Sequence, residues 1–247
     1  MNNFSSVNLP SMVISGLSRR EVEIVAHLHA AIMEQRLLPG TRLTEEELGD
    51  IFQVSRMRIR RVLLALAHTG MIELPPGRGA IVARPSPEQA HHIFSARRLI
   101  EGQLLEAPLT VLPKKGLKVL YDLCAQEDEA ARVQDRTLMI QLSGIFHVML
   151  AKAYGNEVLA DIVSGLVARS ALIIAFYQAK TISCCRPNDH RLLLKELEKK
   201  SFPQAGERMR AHLLLIESSL VLDRLPDERQ DLRSILSPRS NHDIVKN

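Results

Sequence analysis

From Glu88 to Leu222 the apolar residues of this chain recur at helical spacing, and no strand-like alternation interrupts them. Pro108, Pro113, Gly155-Asn156, Pro187 and Pro203 punctuate the run. Proline ends a helix by removing an amide donor and clashing with the preceding turn. The breakers therefore predict six helices near 88–107, 114–132, 136–153, 156–179, 188–200 and 203–222. Six amphipathic helices with short connections bury their stripes against one another, as an all-α antiparallel bundle.

The first third of the chain reads differently. Ser18-Arg19-Arg20-Glu21 has the form of a capping box at a helix start. Apolar residues follow at Val22, Val25, Leu28, Ile32 and Met33, and Pro39-Gly40 breaks the pattern. Thr44-Glu45-Glu46-Glu47 repeats the box and predicts a short helix through Phe52. Ser55 is placed to cap a third helix to about His68, which Gly70 terminates. Two β-like runs, Met71–Leu74 and Ala80–Ala83, flank the hairpin loop Pro75-Pro76-Gly77-Arg78-Gly79. Three helices and a glycine-tipped hairpin outline a winged helix-turn-helix. The chain thus reads as mainly α: a loose arm over 1–17, a winged helix-turn-helix over 18–84, a linker at 85–87, a helical domain over 88–225 and a polar tail over 226–247.

Charge is informative only locally. The net charge is +4, too small to argue for nucleic acid. Residues 1–84, however, hold ten Arg, no Lys and eight acids, and four of those Arg fall within Ser55–Arg61. An arginine run is commonly a solvated helix face. Here it occupies the helix that a helix-turn-helix sends into the major groove. The planar guanidinium suits bidentate contact with guanine or phosphate. Three cysteines, Cys124, Cys184 and Cys185, without a C-x-x-C pair argue against a disulfide framework or a zinc finger. The longest apolar stretch, Ser170–Ala179, is too short to span a bilayer, and no secretory signal is apparent at the start. A cytoplasmic chain is expected.

The ordered series Leu38-Pro39-Gly40-Thr41-Arg42-Leu43-Thr44-Glu45, Glu47-Leu48, Val54-Ser55-Arg56, Ile59-Arg60, Leu63, Leu66, Gly70-Met71-Ile72 and Arg78-Gly79-Ala80 resembles the GntR family of bacterial regulators. The resemblance implies that Ser55, Arg56 and Arg60 contact DNA and that Gly79 of the wing approaches the minor groove; Arg42 and Arg58 are expected beside them. Met57-Arg58, Arg61 and Glu46 depart from common family residues, which implies a different operator preference.

In the helical half, the residues alone single out His147, His190 and His212, each among apolar neighbours. A hydrogen-bonded core imidazole and a metal ligand are both open readings. Arg97-Arg98-Leu99-Ile100-Glu101, Phe146-His147, Gly155-Asn156-Glu157-Val158-Leu159, His190 and Met209-Arg210-Ala211-His212-Leu213 resemble the FCD effector domain of one GntR subfamily. Many such domains hold a divalent ion, often Zn or Ni, through three His and one Asp, and the ion helps bind a small carboxylate. The resemblance assigns His147, His190 and His212 as ligands and Arg97 as a partner of the effector carboxylate. Ser143 stands where the family has its aspartate, four residues before His147. A neutral hydroxyl is a poor replacement for a carboxylate ligand. Either the three imidazoles keep the ion, with water or effector completing the shell, or the pocket uses them as hydrogen-bond donors. For Arg97, an i,i+4 ion pair with Glu101 is the alternative. His91 and His92 match no ligand position.

The expected protein is a homodimeric, effector-responsive transcription regulator, most simply a repressor, on a pseudo-palindromic operator. An architectural DNA-binding dimer and a three-His metal enzyme are the rival readings, the second lacking an evident general base. Arg56→Ala and Arg60→Ala are each expected to weaken operator binding by about 1–3 kcal/mol at matched salt, measured by fluorescence anisotropy. Unchanged affinity in both would remove the assignment of this helix.

Overall fold

The structure is a computed structural model and describes residues 16–77, 79–108, 114–178, 188–222 and 232–236. The chain divides into two compact units. One holds the described residues up to Ala83 together with Leu232–Leu236, and the other runs from Arg84 to Leu222. The expectations for the arm before Gly16, for Arg78 and for Cys184-Cys185 lie outside the described residues.

In the first unit, α1 (Arg19–Met33) begins at the expected box. Glu21 N donates to Ser18 Oγ at 3.4 Å, and Ser18 N donates to Glu21 Oε2 at 2.6 Å. Ile24, Val25, Leu28, Ala31 and Ile32 form its buried stripe. β1 (Arg42–Leu43) leads into α2 (Glu45–Phe52), whose first turn is capped by Thr44 Oγ1 accepting from Glu47 N at 3.2 Å. Gln53, at φ +54°, turns the chain into α3 (Arg56–His68). Gly49 lies where a Cβ would approach the Val54 carbonyl oxygen to 3.1 Å, so the tight turn favours a residue without one. Ser55 occupies the N-cap of α3 but makes no capping hydrogen bond with its side chain.

β2 (Ile72–Glu73) and β3 (Ala80–Val82) are the two expected wing strands, each shorter than its apolar run. β3 sits centrally in an antiparallel order β1-β3-β2, pairing Arg42 with Ile81 and Ile72 with Val82. The third strand, β1, had no periodic signal, because two residues are too few to show alternation.

His29, on α1, keeps its Nδ1 buried without a hydrogen-bond partner, and burial pushes its pKa down to about 4.

The second unit is the expected bundle: α4 (Pro87–Glu106), α5 (Lys114–Arg132), α6 (Arg136–Ala153), α7 (Glu157–Tyr177), α8 (Asp189–Glu198) and α9 (Phe202–Ser218). Its first helix starts inside the stretch read as linker. Ser86 is the N-cap, Gln89 completes a capping box, and Pro87 occupies the first turn, where a missing amide costs nothing. Asp135 caps α6 and Asn156 caps α7. Arg136 closes the far end of α7 by donating to the carbonyls of Ile174, Ala175 and Gln178. The core is largely aliphatic, with Leu150, Leu193, Leu194, Met209 and Leu213 clustered around Phe146.

α7 is long and apolar enough, by length and composition, to cross a membrane, with a mean hydropathy of 1.9 over its best window. It exceeds the apolar stretch read from sequence because Asp161 and Arg169 only interrupt a longer run. Ala160, Val163, Val167, Leu172 and Ile173 bury that apolarity in the unit.

α9 lies along α4 over the most extensive helix pairing of the unit, and two glycines permit the approach. A Cβ on Gly206 would sit 2.6 Å from the Gly102 carbonyl oxygen and 2.6 Å from Glu106 Cγ. Backbone cannot yield as a side-chain tip does, so Gly206→Ala must separate the helices. It is expected to destabilise the helical unit by about 2 kcal/mol in a denaturant melt. In the winged-helix unit, the depressed pKa of His29 sets a pH window. The unfolded chain protonates this group near pH 6.5 and the folded one only near 4, so stability falls as pH drops through that interval. Between pH 7 and 4.5, α1 is expected to lose roughly 2–3 kcal/mol of hydrogen-exchange stability from this group. A His29→Gln chain should lack that component.

Candidate DNA-binding face and candidate metal centre

In the first unit, α3 buries Ile59, Val62, Leu63, Ala65 and Leu66 and exposes Arg56, Met57, Arg58, Arg60 and Arg61. The helical period thus turns the arginines outward while the aliphatic side anchors the helix. Acidic residues occupy several of them. Arg56 Nη2 lies 2.6 Å from Glu46 Oε1, and Arg60 Nε lies 3.8 Å from Glu45 Oε1. Arg61 Nη1 pairs with the buried Glu21 at 3.1 Å, and its Nη2 donates to the Gly16 carbonyl. Arg61 is therefore a structural tie to the start of α1, whereas Arg56 and Arg60 form solvent-exposed pairs. Such pairs contribute only about 0–1 kcal/mol, so a phosphate can replace the carboxylate.

Between α3 and the wing lies a cleft of ≈ 500 Å³, bordered by Arg42, Arg60, Leu64, Leu74, Gly77 and Gly79. Gly79 has φ +72° with open space around it, a conformation only glycine adopts without strain. Arg42, Arg60 and Gly79 thus border one cleft, with Arg56, Arg58 and Ser55 exposed on the adjoining helix.

In the second unit, α6, α8 and α9 bring His147, His190 and His212 together. Each is buried, and one ring nitrogen from each lies within 4.8 Å of the others. Their Nδ1 atoms meet carboxylates: His147 with Glu101 at 2.6 Å, His190 with Glu127 at 2.8 Å and His212 with Asp189 at 3.1 Å. A neutral imidazole that donates through Nδ1 keeps its lone pair on Nε2. Nε2 of His147 and of His190 is buried without a hydrogen-bond partner. Phe146 stacks on His190 with centroids 4.0 Å apart and fixes that ring.

Arg97 adjoins this cluster. Its Nε donates to Glu101 Oε1 at 2.7 Å and its Nη1 to Ser170 Oγ at 2.9 Å, with both ionic groups buried. Glu101, one helical turn away, thus takes the guanidinium inside the helical unit. The ion pair with Glu101 is the arrangement found, in the interior rather than on the surface. Burial pushes Glu101 toward protonation, but Arg97 and the hydrogen bond from His147 hold it at about 2. Burial holds His147 down to about 3, so this imidazole is neutral near pH 7.

Ser143 is buried on α6, one turn before His147. Glu101, Glu127 and Asp189 were not identified from sequence as partners of the histidines. They lie 46, 63 and 23 residues away in the chain, and only the Glu101 position carried a signal, as the i+4 partner of Arg97.

The donor set fits a divalent ion. Three imidazoles, each backed by a carboxylate, form the arrangement that orients histidine ligands and raises their basicity. Three carboxylates and one guanidinium surround the imidazoles, an acidic setting that suits a divalent cation.

An exposed arginine helix beside a glycine-tipped wing, followed by a helical bundle with a buried polar centre, defines a winged-helix regulator with an effector-binding domain. Residues 20–82 match the family described as bacterial regulatory proteins, gntR family, and residues 92–215 match the FCD domain. The chain belongs to the GntR family of bacterial regulatory proteins and carries an FCD domain. It is 28% identical over 209 residues to the HTH-type transcriptional regulator LutR of Bacillus subtilis, covering 76% of this chain and 95% of that one. It is 25% identical over 146 residues to the HTH-type transcriptional repressor RspR of Escherichia coli; that match spans 59% of this chain and 64% of RspR, just under two thirds. A putative GntR regulator from Rhodococcus sp. RHA1 shares the fold, with a TM-score of 0.70 at 19% identity over 81% of this chain and 97% of that one.

The ion pairs on α3 generate a test. Glu46→Gln removes the carboxylate that occupies Arg56, so DNA affinity is expected to rise several-fold and the log–log salt slope to steepen by up to about one. Binding isotherms over a salt series measure both.

Proposed function

We propose that the chain is a repressor that acts as a homodimer in the cytoplasm and releases its operator when a small carboxylate enters the helical unit. His147, His190 and His212 would hold a divalent ion, Zn or Ni, and Ser143 would line the effector's side of the pocket. The observation that carries this reading is the set of three buried imidazoles backed by carboxylates, with Nε2 of His147 and His190 lacking a partner.

The ion, when bound, supplies a Lewis-acidic point charge for an anionic ligand. The chain's own residues do the rest. Glu101, Glu127 and Asp189 orient the imidazoles and fix their tautomers. Arg97 keeps Glu101 ionised. An arrangement in which the histidines serve as donors to the ligand is disfavoured, because Nδ1 is already engaged with a carboxylate in all three.

Arg42, Ser55, Arg56, Arg58, Arg60 and Gly79 would form the DNA contact. Ser55 supports that reading because its hydroxyl is not spent on capping its own helix. A homodimer would set two recognition helices on a pseudo-palindromic site. Leu99 on α4 and Val158 and Ile162 on α7 are exposed apolar side chains on two packed helices, as a subunit interface requires. RspR is named a repressor, which favours that sign here.

Elemental analysis of untagged protein tests the metal. Near-stoichiometric Zn or Ni is expected, absent in His147→Ala and held 10–100-fold more weakly in Glu101→Gln. Protein that stays metal-free after reloading would overturn the metal reading and leave the DNA reading intact.

A further inference from the structure

The last helix belongs to neither family match, since these end at residues 82 and 215. α10 (Leu232–Leu236) lies in the stretch read from sequence as a polar tail, yet Leu232 and Leu236 are 2% and 1% exposed. Their i,i+4 spacing puts both on one face. That helix lies against α1 and α2 of the winged-helix unit. Arg36 Nη1 donates to the Ile235 carbonyl at 3.0 Å, and Arg233 pairs with Asp50 at 3.3 Å. Five residues do not hold a helix alone in water. The helix exists because it is docked.

We propose that α10 is an intrachain latch: the α1–α2 surface of the winged-helix unit is a docking site whose partner is the chain's own C-terminal helix. The latch suppresses local opening of α1 and α2 by covering apolar surface that they would otherwise expose. None of this rests on the metal or effector reading. It uses residues outside the DNA face and outside the histidine cluster.

Hydrogen exchange tests it on three chains: full length, one ending at Leu225, and full-length Leu232→Asp/Leu236→Asp. Amides of α1 and α2 are expected to exchange at least tenfold faster in both altered chains, with α6 and α9 unchanged as the internal reference. Unchanged protection of α1 and α2 in both would overturn the proposal. Should truncation impair folding, the double variant and a cross-link carry the test. In a background with Cys124, Cys184 and Cys185 replaced by Ser, Asp50→Cys/Arg233→Cys is treated with a short bis-maleimide. An intrachain product supports the latch. An interchain product assigns the surface to a second copy and overturns it, as does the absence of any cross-link.

Discussion

The buried contact of Glu101 with Arg97 on one side and His147 on the other organises the helical unit. A carboxylate in an apolar interior is costly unless its charge is matched and its oxygens are bonded. Here both conditions are met by residues on two helices, so α4 and α6 cannot shift independently without exposing an uncompensated charge. His190 and His212 repeat the scheme with Glu127 and Asp189. α9, which carries His212, passes close over α4 at Gly206 and Gly102. Polar centre and helix packing thus share helices: α4 carries Glu101 and α9 carries His212.

The DNA-binding unit is arranged on the opposite electrostatic principle. Its charges are exposed and loosely held. Arg56 and Arg60 rest on Glu46 and Glu45, so the face is partly neutralised before any contact with DNA. Exposed pairs are weak and screened by salt, and a phosphate backbone offers a denser array of charge. Arg61 differs because its partner Glu21 is buried and hydrogen-bonded into the first turn of α1. Arg56, Arg60 and Arg61 therefore differ in the burial of their acidic partners, exposed for the first two and buried for the third.

Much of this was legible in the sequence. The six helices of the bundle, the three helices of the first unit and both wing strands follow from periodicity, capping residues and breakers, since these act over a few neighbouring residues. The GntR and FCD resemblances added the grouping of three histidines, which spacing alone left open. The start of α4 at Ser86-Pro87 was present as a capping box with proline in the first turn, but it was read as a linker. β1 is too short to carry a pattern. The helix at Leu232–Leu236 had only two leucines at i,i+4 in a polar stretch.

Sequence by itself determined the elements, the family and which arginines share the outer side of α3, because local hydrogen bonding and the 3.6-residue period specify these. Tertiary structure decided what each polar group does. Arg97 turned inward to Glu101, Glu46 took Arg56, and three carboxylates distant in the chain came to back three imidazoles. Those assignments depend on which side chains meet when helices pack. That is set by the summed burial and charge matching of the whole unit rather than by any residue's neighbours in the chain.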